Sequence, residues 1–160
     1  MTTDYRRALS CFATGVTVVT ARHQDADWGM TCNSFSSVSL EPRLVLWSIR
    51  KAAASHAAFT QGQGYTVSVL SAHQAGLARQ FSTGDMAQRF AGVPLHRAPS
   101  GRAAVDAASA WFDCKLVNVM PAGDHDILLG EVLDFGWNED EGLVFAHSRF
   151  LPPGSAVVPA

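Results

Sequence analysis

Residues 29–42 combine small hydroxyl and amide side chains with apolar side chains in a segment that otherwise resembles a strand. Such polar side chains can donate and accept hydrogen bonds around a polar ligand, while the apolar ones hold the backbone beneath it. The polar members are Thr31, Asn33, Ser34, Ser36, Ser37 and Ser39, and the apolar members are Met30, Phe35, Val38 and Leu40. An antiparallel strand with one face in water would have the same composition, so the residue types alone leave both interpretations open.

Two further polar clusters lie next to apolar runs. Arg50 and Lys51 come directly after the apolar run 44–49, at the start of an Ala-rich segment that can form a short helix. The positive end of a helix dipole would add to their charge and favour a bound phosphate, although two basic residues at a strand end are often merely solvated. His125 ends a Gly-Asp-His triplet. Taken alone, it is more typical of a turn or a partly buried histidine than of a catalyst.

Several common catalytic motifs do not occur in the sequence. There is no Gly-x-Ser-x-Gly nucleophile elbow, no His-Glu-x-x-His metal motif, and no Gly-x-Gly-x-x-Gly between a strand and a helix. A dinucleotide, if one is used, is therefore not held in the Rossmann manner. Cys11, Cys32 and Cys114 are an odd number, far apart and without a Cys-x-x-Cys pair, so we expect neither a disulfide framework nor a metal site.

The length and composition fit one globular domain. The 160 residues are 48% hydrophobic and 16% charged, which is enough to bury a core. The net charge is −2 without a basic block, so nucleic acid is not an expected partner. No apolar run approaches the roughly 20 residues that span a bilayer, and the N-terminus lacks a signal-peptide core. We therefore expect a cytoplasmic protein with reduced thiols and no membrane partner.

The periodicity of apolar residues predicts strands separated by short helices. A helix that begins at Thr3 or Asp4 and stops before Gly15 should lie against the domain as a lid or flank. Residues 44–49 are a continuous apolar run, typical of a central strand buried on both faces. The predicted strands are residues 16–21, 28–33, 44–49, 65–70, 111–119, 127–137 and 143–148, and the further predicted helices are residues 52–59 and about 72–81.

The overall order of these elements favours a barrel. Residues 82–104 are rich in Gly and Pro and predict a long irregular segment, of a length that is usually functional or mobile. Six or seven mostly hairpin-linked strands with short inserted helices favour a closed or partly closed antiparallel barrel over a doubly wound sheet. We expect a mainly β domain over residues 1–151 and a loose tail over residues 152–160.

Six segments together resemble the short-chain flavin reductases, the NADH:flavin oxidoreductase components of two-component aromatic monooxygenases. The resemblance runs in order from about residue 5 to residue 151. Its most specific motifs are Thr-x-Asn-Ser-x-x-Ser-Val-Ser-Leu at residues 31–40 and Gly-Asp-His at residues 123–125. The other segments are Gly-Val-Thr-Val-Val-Thr at 15–20, Leu-Val-Leu-Trp-Ser-Ile at 44–49, Tyr-Thr-Val-Ser-Val-Leu-Ser at 65–71 and Arg-Phe-Ala-Gly-Val at 89–93.

The resemblance implies a homodimeric split β-barrel with a Greek-key core that binds FMN or FAD near the dimer interface. It implies flavin-binding residues in three stretches and a nicotinamide pocket that borders them. The flavin-binding residues would be Thr31, Cys32, Asn33 and Ser34 at the isoalloxazine and ribityl chain, Ser48, Ile49, Arg50, Lys51 and Ser55 at the ribityl and phosphate, and Gln80, Phe81 and Ser82 nearby. The nicotinamide pocket would include His125, His147, Arg149 and Phe150.

The implied activity is NAD(P)H-dependent reduction of free flavin for a partner monooxygenase. Hydride transfer from nicotinamide C4 to flavin N5 needs no protein nucleophile, so His125 would orient the nicotinamide rather than transfer a proton. Ala53, Gln80 and Phe150 depart from the family pattern, at positions where relatives often have a hydroxyl, a basic residue and a Tyr. Two alternatives stay open: a non-enzymatic flavin- or haem-binding module of the same barrel class, and a structural barrel without a ligand.

Overall fold

The computed structural model describes residues 2–155. The helices are α1 (Thr2–Ser10), α2 (His56–Thr60), α3 (Ala75–Gln80) and α4 (Met86–Phe90), and none of them is long and apolar enough to cross a membrane. The strands are β1 (Thr14–Gly15), β2 (Thr17–His23), β3 (Ala26–Cys32), β4 (Ser36–Leu40), β5 (Arg43–Arg50), β6 (Gly64–Val69), β7 (Leu95–Arg97), β8 (Ala103–Val105), β9 (Ala110–Ala122), β10 (His125–Trp137), β11 (Val144–Ala146) and β12 (Arg149–Phe150).

Seven strands form one antiparallel sheet in the order β3-β2-β6-β9-β10-β5-β4. Among the strands of this sheet, β6, β9 and β10 follow one another in the chain, and the preceding strand β5 lies beside β10, which is a Greek-key arrangement. The sheet coils into a split barrel, because side chains from both halves pack into one buried cluster. Val19 and Tyr65 come from one half of the sheet, and Trp47 and Leu128 come from the other. The mainly β split barrel expected from the sequence is confirmed.

The strand predicted at residues 44–49 exists, but its expected central position is wrong. It is β5, which lies second from the edge of the sheet, and its buried residues alternate with half-buried ones. The strands that are buried on both faces are β2 and β6, where residues 17–21 and 64–68 are all buried. These two strands separate the barrel core from a second apolar cluster outside it, which contains Val18 and Phe81. A short apolar run therefore indicated a strand but not its place in the sheet.

The expectation of an irregular segment at residues 82–104 is also wrong. The segment contains α4, β7 and the start of β8, and β7 and β8 pair as an antiparallel hairpin. This hairpin is bonded to the outer faces of β2 and β6, since the Val105 N–H donates to Ser68 Oγ (3.0 Å) and the Thr20 hydroxyl donates to the Ala103 carbonyl. Ala103 is buried against the sheet. Its small side chain allows the hairpin to approach the sheet closely. The Gly and Pro content of residues 82–104 gives no sign of this contact.

Helix α1 is less closely packed than expected, whereas residues 152–155 are more regular than expected. The predicted N-terminal helix exists as α1, but Tyr5 and Leu9 on it are 66% and 56% exposed, so the expected packing of its apolar face against the domain is wrong. Residues 152–155 were expected to be loose, yet they form a turn in which the Gly154 N–H donates to the Glu141 carboxylate (2.7 Å). The rest of the predicted tail, residues 156–160, lies outside the described residues.

Helices α3 and α4 cover the outer edge of β3. The backbone N–H of Thr31 donates to the Phe81 carbonyl (3.2 Å), and the Arg89 side chain donates to the Gly29 carbonyl (2.9 Å). An edge strand otherwise presents unpaired backbone groups to solvent. Because these groups are bonded to the helices, the end of β3 is held in a fixed position.

Gly29 is a point of close packing between β3 and these helices. A Cβ at this residue would lie 2.8 Å from the Phe81 ring and 2.9 Å from the Phe90 ring. We expect Gly29→Ala to lower the free energy of unfolding by about 1–3 kcal/mol, because both rings must move. Urea denaturation measures this change. Gly76→Ala in α3 is the matched control, since a Cβ there meets nothing within 4 Å, and it should be neutral or slightly stabilising. Equal losses in the two variants would contradict the packing argument.

Candidate active site

Two cavities share the segment Thr31–Asn33 as a common wall. The helix-side cavity, of about 270 Å³, is otherwise lined by Val16, Ala78, Ser82, Phe145 and Phe150. The strand-side cavity, of about 220 Å³, is otherwise lined by Met30, Ser34, Ser48, Arg50 and His125. Residues 31–33, part of the segment that its composition singled out, therefore lie between two cavities rather than on a flat, solvent-exposed face of the sheet.

Hydrogen bonds on both sides hold this segment in place. The Thr31 hydroxyl donates to the Ala78 carbonyl of α3, and the Thr17 hydroxyl donates to the Cys32 carbonyl (2.9 Å). The Cys32 side chain is buried, and its sulfur lies 3.1 Å from the Ser34 hydroxyl. The backbone between the cavities is thus fixed by its neighbours before any ligand binds.

Ser34 joins the end of β3 to β5 across the split of the barrel. Its hydroxyl accepts a hydrogen bond from the Ser48 N–H (2.9 Å) and donates to the Ser48 carbonyl (3.3 Å). Below this link, the buried Ser55 hydroxyl lies 3.6 Å from the Met30 sulfur. Two of the hydroxyl groups predicted to contact a ligand are therefore also part of the framework that shapes the strand-side cavity.

The two basic residues at the end of β5 differ in their surroundings. Lys51 Nζ donates to the Gly123 carbonyl (2.8 Å) and lies 3.8 Å from the buried Asp126 carboxylate, which also lies 2.7 Å from His56 Nε2. These contacts fasten the β9–β10 turn to the end of β5. Arg50 lines the strand-side cavity and has no ion-pair partner within residues 2–155. Its guanidinium is therefore available to an anionic ligand.

His125 begins β10 directly after a tight turn in which Gly123 has a positive φ of 67°. Its Nδ1 lies 2.7 Å from the carboxylate of Asp124, and this hydrogen bond lowers the pKa of that exposed carboxyl group. Asp124 thereby remains charged and fixes one ring nitrogen of His125. The other ring nitrogen, Nε2, has no hydrogen-bond partner among residues 2–155, and His125 lines the strand-side cavity, so this nitrogen is left to interact with a ligand there.

Several of the predicted site residues contact the cavities indirectly or not at all. Ile49 and Phe81 are buried in the two apolar clusters, so only their backbone atoms could reach a ligand. The amide nitrogen of Gln80 donates to three carbonyls at the end of α4, those of Gln88, Arg89 and Ala91, at 2.9–3.2 Å. Gln80 thus positions α4 beside the helix-side cavity.

The residues predicted for one nicotinamide pocket are divided between two places. His125 lines the strand-side cavity, whereas Phe150 lines the helix-side cavity. His147 and Arg149 belong to the β11–β12 hairpin and line neither cavity; His147 and Ser148 form its turn with positive φ values of 49° and 61°. The Thr31–Asn33 segment lines both cavities, so it lies between His125 on the strand side and Phe150 on the helix side.

Sequence reasoning missed several apolar lining residues. Val16, Ala78 and Phe145 line the helix-side cavity, and Met30 lines the strand-side cavity. Their residue types are those of an ordinary core, and they come from distant parts of the chain. No local signal distinguishes them from buried packing residues, because only the folded arrangement brings them to a cavity wall.

The fold is that of an antiparallel split-barrel protein, with two cavities that share one polar segment. A family model described as the flavin reductase like domain matches residues 9–153. The FMN reductase (NADH) SmoA of Agrobacterium fabrum is 39% identical over 147 residues, which cover 92% of this chain and 83% of SmoA. The chain belongs to the flavin reductase family.

Longer relatives and solved structures agree with this assignment. The reductase component of a flavin-dependent trigonelline monooxygenase from Acinetobacter baylyi is 34% identical over 154 residues, or 96% of this chain, but the chain spans only 49% of that protein. The NADH:FAD oxidoreductase SgcE6 of Streptomyces globisporus, solved in complex with NAD and FAD fragments, superposes with a TM-score of 0.89. It is 36% identical, and the match covers 96% of this chain and 94% of SgcE6.

Proposed function

We propose that this chain is an NAD(P)H:flavin oxidoreductase that reduces FMN or FAD and supplies the reduced flavin to a separate monooxygenase. The observation that carries the proposal is the pair of cavities on the two sides of Thr31–Asn33, which allows a flavin and a nicotinamide to meet at one fixed segment. Family membership supports the same reaction. The relatives described as reductase components of monooxygenases support the partner.

The residues around the strand-side cavity fit a flavin. The Asn33 amide is exposed on the cavity wall, and Arg50 offers a cation for the flavin phosphate. Thr31, Cys32, Ser34 and Ser48 border the same space. Ser82, also in the proposed flavin-binding set, lines the helix-side cavity. The remaining members support the site through backbone atoms or by holding adjacent segments in place; they are Ile49, Lys51, Ser55, Gln80 and Phe81.

The role of the protein in the reaction is to position the flavin and the nicotinamide and to shape their surroundings. A bound flavin supplies the redox chemistry by accepting a hydride from the nicotinamide, so no side-chain nucleophile is required. His125 lines the strand-side cavity and is fixed through Nδ1 by Asp124, so its other ring nitrogen can orient the nicotinamide where that ring reaches past Thr31–Asn33 to the flavin. Phe145 and Phe150 give the helix-side cavity an apolar wall that limits water. The assigned nicotinamide set is His125, His147, Arg149 and Phe150.

We also propose that the chain is a homodimer that uses the apolar groove beside β4 and β10. This groove, of about 220 Å³, includes Phe35, Leu40, Phe112 and Phe135 among its lining residues. Leu40 is 90% exposed in the single chain, and a contiguous apolar patch of this kind is typical of a protein interface. The three unpaired thiols support the further proposal of a reducing, cytoplasmic location.

The proposed reaction is tested by steady-state kinetics in which NADH and NADPH are each combined with riboflavin, FMN and FAD. We expect nicotinamide oxidation only when flavin is added, with equimolar reduced flavin formed under anaerobic conditions. We also expect the purified protein to carry little flavin, because a flavin that is delivered to another protein must dissociate. Flavin binding without oxidation of either nicotinamide would favour the non-enzymatic alternative and refute the reductase proposal.

The role of His125 is tested by His125→Ala. Because the imidazole is proposed to orient the nicotinamide, we expect the KM for NADH to rise about tenfold, as for the loss of one hydrogen bond, while the Kd for flavin changes by less than about threefold. The KM comes from steady-state rates, and the Kd comes from flavin fluorescence titration. His23→Ala, at the far end of β2, is the control and should change neither value. Equal losses in KM and Kd would contradict the assignment.

The proposed dimer surface is tested by Leu40→Asp. A carboxylate placed in the apolar groove should convert the dimer into a monomer, because forming the interface would remove it from water at a cost that an ion pair with the neighbouring Arg43 does not fully offset. Light scattering coupled to size-exclusion chromatography measures the molar mass. Gln24→Asp adds the same charge at the exposed β2–β3 turn and should leave the dimer intact. A Leu40→Asp protein that stays dimeric would exclude this groove as the interface.

A further inference from the structure

Arg79 lies at the edge of the helix-side cavity without lining it. It belongs to the last turn of α3, and its neighbours Ala78 and Ser82 both line that cavity. The Arg79 guanidinium carbon lies 5.2 Å from the centre of the Phe150 ring, and Phe150 is itself a wall of the cavity. The aromatic ring thus holds an exposed guanidinium at the cavity margin.

The side chain of Arg79 has no polar partner of its own within residues 2–155, since no carboxylate or carbonyl there accepts from its guanidinium. Its backbone carbonyl, by contrast, accepts from the Ser82 hydroxyl (2.7 Å), the Ser82 N–H (3.1 Å) and the Thr83 hydroxyl (3.3 Å). The C-terminal end of α3 is therefore fixed, whereas no carboxylate within residues 2–155 pairs with the Arg79 guanidinium.

Other polar side chains near the segment are already engaged. Lys51 is bonded to the Gly123 carbonyl, Arg89 to the Gly29 carbonyl and Gln80 to carbonyls at the end of α4. The helix-side cavity has no charged lining residue of its own. Arg79 is thus well placed to add a positive charge where a ligand would leave this cavity.

A guanidinium held over an aromatic ring has fewer directions in which to point its N–H groups, and its planar fork matches the paired oxygens of a phosphate group. In the proposed function, Arg50 already offers a cation to the flavin phosphate from the strand-side cavity. The second cation lies by the opposite cavity. FAD also carries a pyrophosphate, but the phosphate end of the flavin already faces Arg50 on the strand side, so the anionic group that we assign to Arg79 is the pyrophosphate of the nicotinamide dinucleotide.

We propose that Arg79, positioned by Phe150, binds the pyrophosphate of NAD(P)H at the mouth of the helix-side cavity. The assignment rests on the proposed function, because it takes the nicotinamide dinucleotide as the second substrate. It identifies Arg79 as a binding residue for the reductant, separate from the residues proposed to hold the flavin.

Equilibrium binding to the flavin-free protein tests this assignment. Isothermal titration calorimetry would give Kd values for NADH and for ADP-ribose, which has the pyrophosphate but no nicotinamide, and flavin fluorescence would give Kd values for FAD, FMN and riboflavin. The variants are Arg79→Gln and Arg79→Lys. Arg22→Gln, which removes the same charge at the distant end of β2, is the matched control; Asp27 there keeps Arg97 as a partner.

We expect Arg79→Gln to weaken both NADH and ADP-ribose about ten- to hundredfold, as for a lost charged hydrogen bond, and Arg79→Lys to recover part of that loss. FAD, FMN and riboflavin should change by less than about threefold, and Arg22→Gln should change nothing. Unchanged NADH and ADP-ribose affinities in Arg79→Gln would overturn the assignment. A selective loss of FAD or FMN relative to riboflavin would also overturn it, since Arg79 would then hold the phosphate end of the flavin. Wild-type protein that binds FMN but neither NADH nor ADP-ribose would overturn the proposed function as well.

Discussion

The structure around the two cavities depends on how the end of one edge strand is fixed. β3 lies at the edge of the sheet, where backbone groups are normally free to move or to pair with another chain. Here the Thr31 N–H is bonded to α3 on one side, and the Ser34 hydroxyl is bonded to both backbone groups of Ser48 on the other. The wall shared by the cavities is therefore anchored at both ends, which lowers the entropy that a ligand must remove on binding.

The same contacts divide the polar residues into those that build the site and those that are free to bind. The side chains of Ser34, Lys51 and Gln80 form hydrogen bonds with other residues of the protein. Arg50 and Arg79 have no such partners within residues 2–155. A cation near a cavity gains most from an anionic ligand when no internal carboxylate competes for it. This difference, more than residue type, separates the candidates for phosphate binding.

Much of the fold follows from local sequence, because β-branched alternation and turn residues determine where strands begin and end. A closed or partly closed antiparallel barrel and the strands at residues 16–21 and 65–70 were predictable on that basis, whereas the split-barrel topology was implied by the family resemblance. The position of β5 in the sheet was not predictable, because strand order depends on pairing between distant segments. The hairpin at residues 95–105 was missed for a similar reason: Ala103 and Ala104 are stable there only against β2 and β6, which local composition does not encode.

The candidate site shows the same limit at the level of single side chains. The motif at residues 31–40 pointed to the correct segment for two cavities, yet it gave no sign that the segment has a cavity on each side. Likewise, adjacent Arg50 and Lys51 look equivalent in the sequence, and only the folded β9–β10 turn brings the Gly123 carbonyl and Asp126 to the lysine. Lys51 is engaged at close range by that turn, whereas Arg50 forms no ion pair within residues 2–155 and has only a weaker electrostatic interaction with Asp124, so charge alone overstates how many free cations the pair offers.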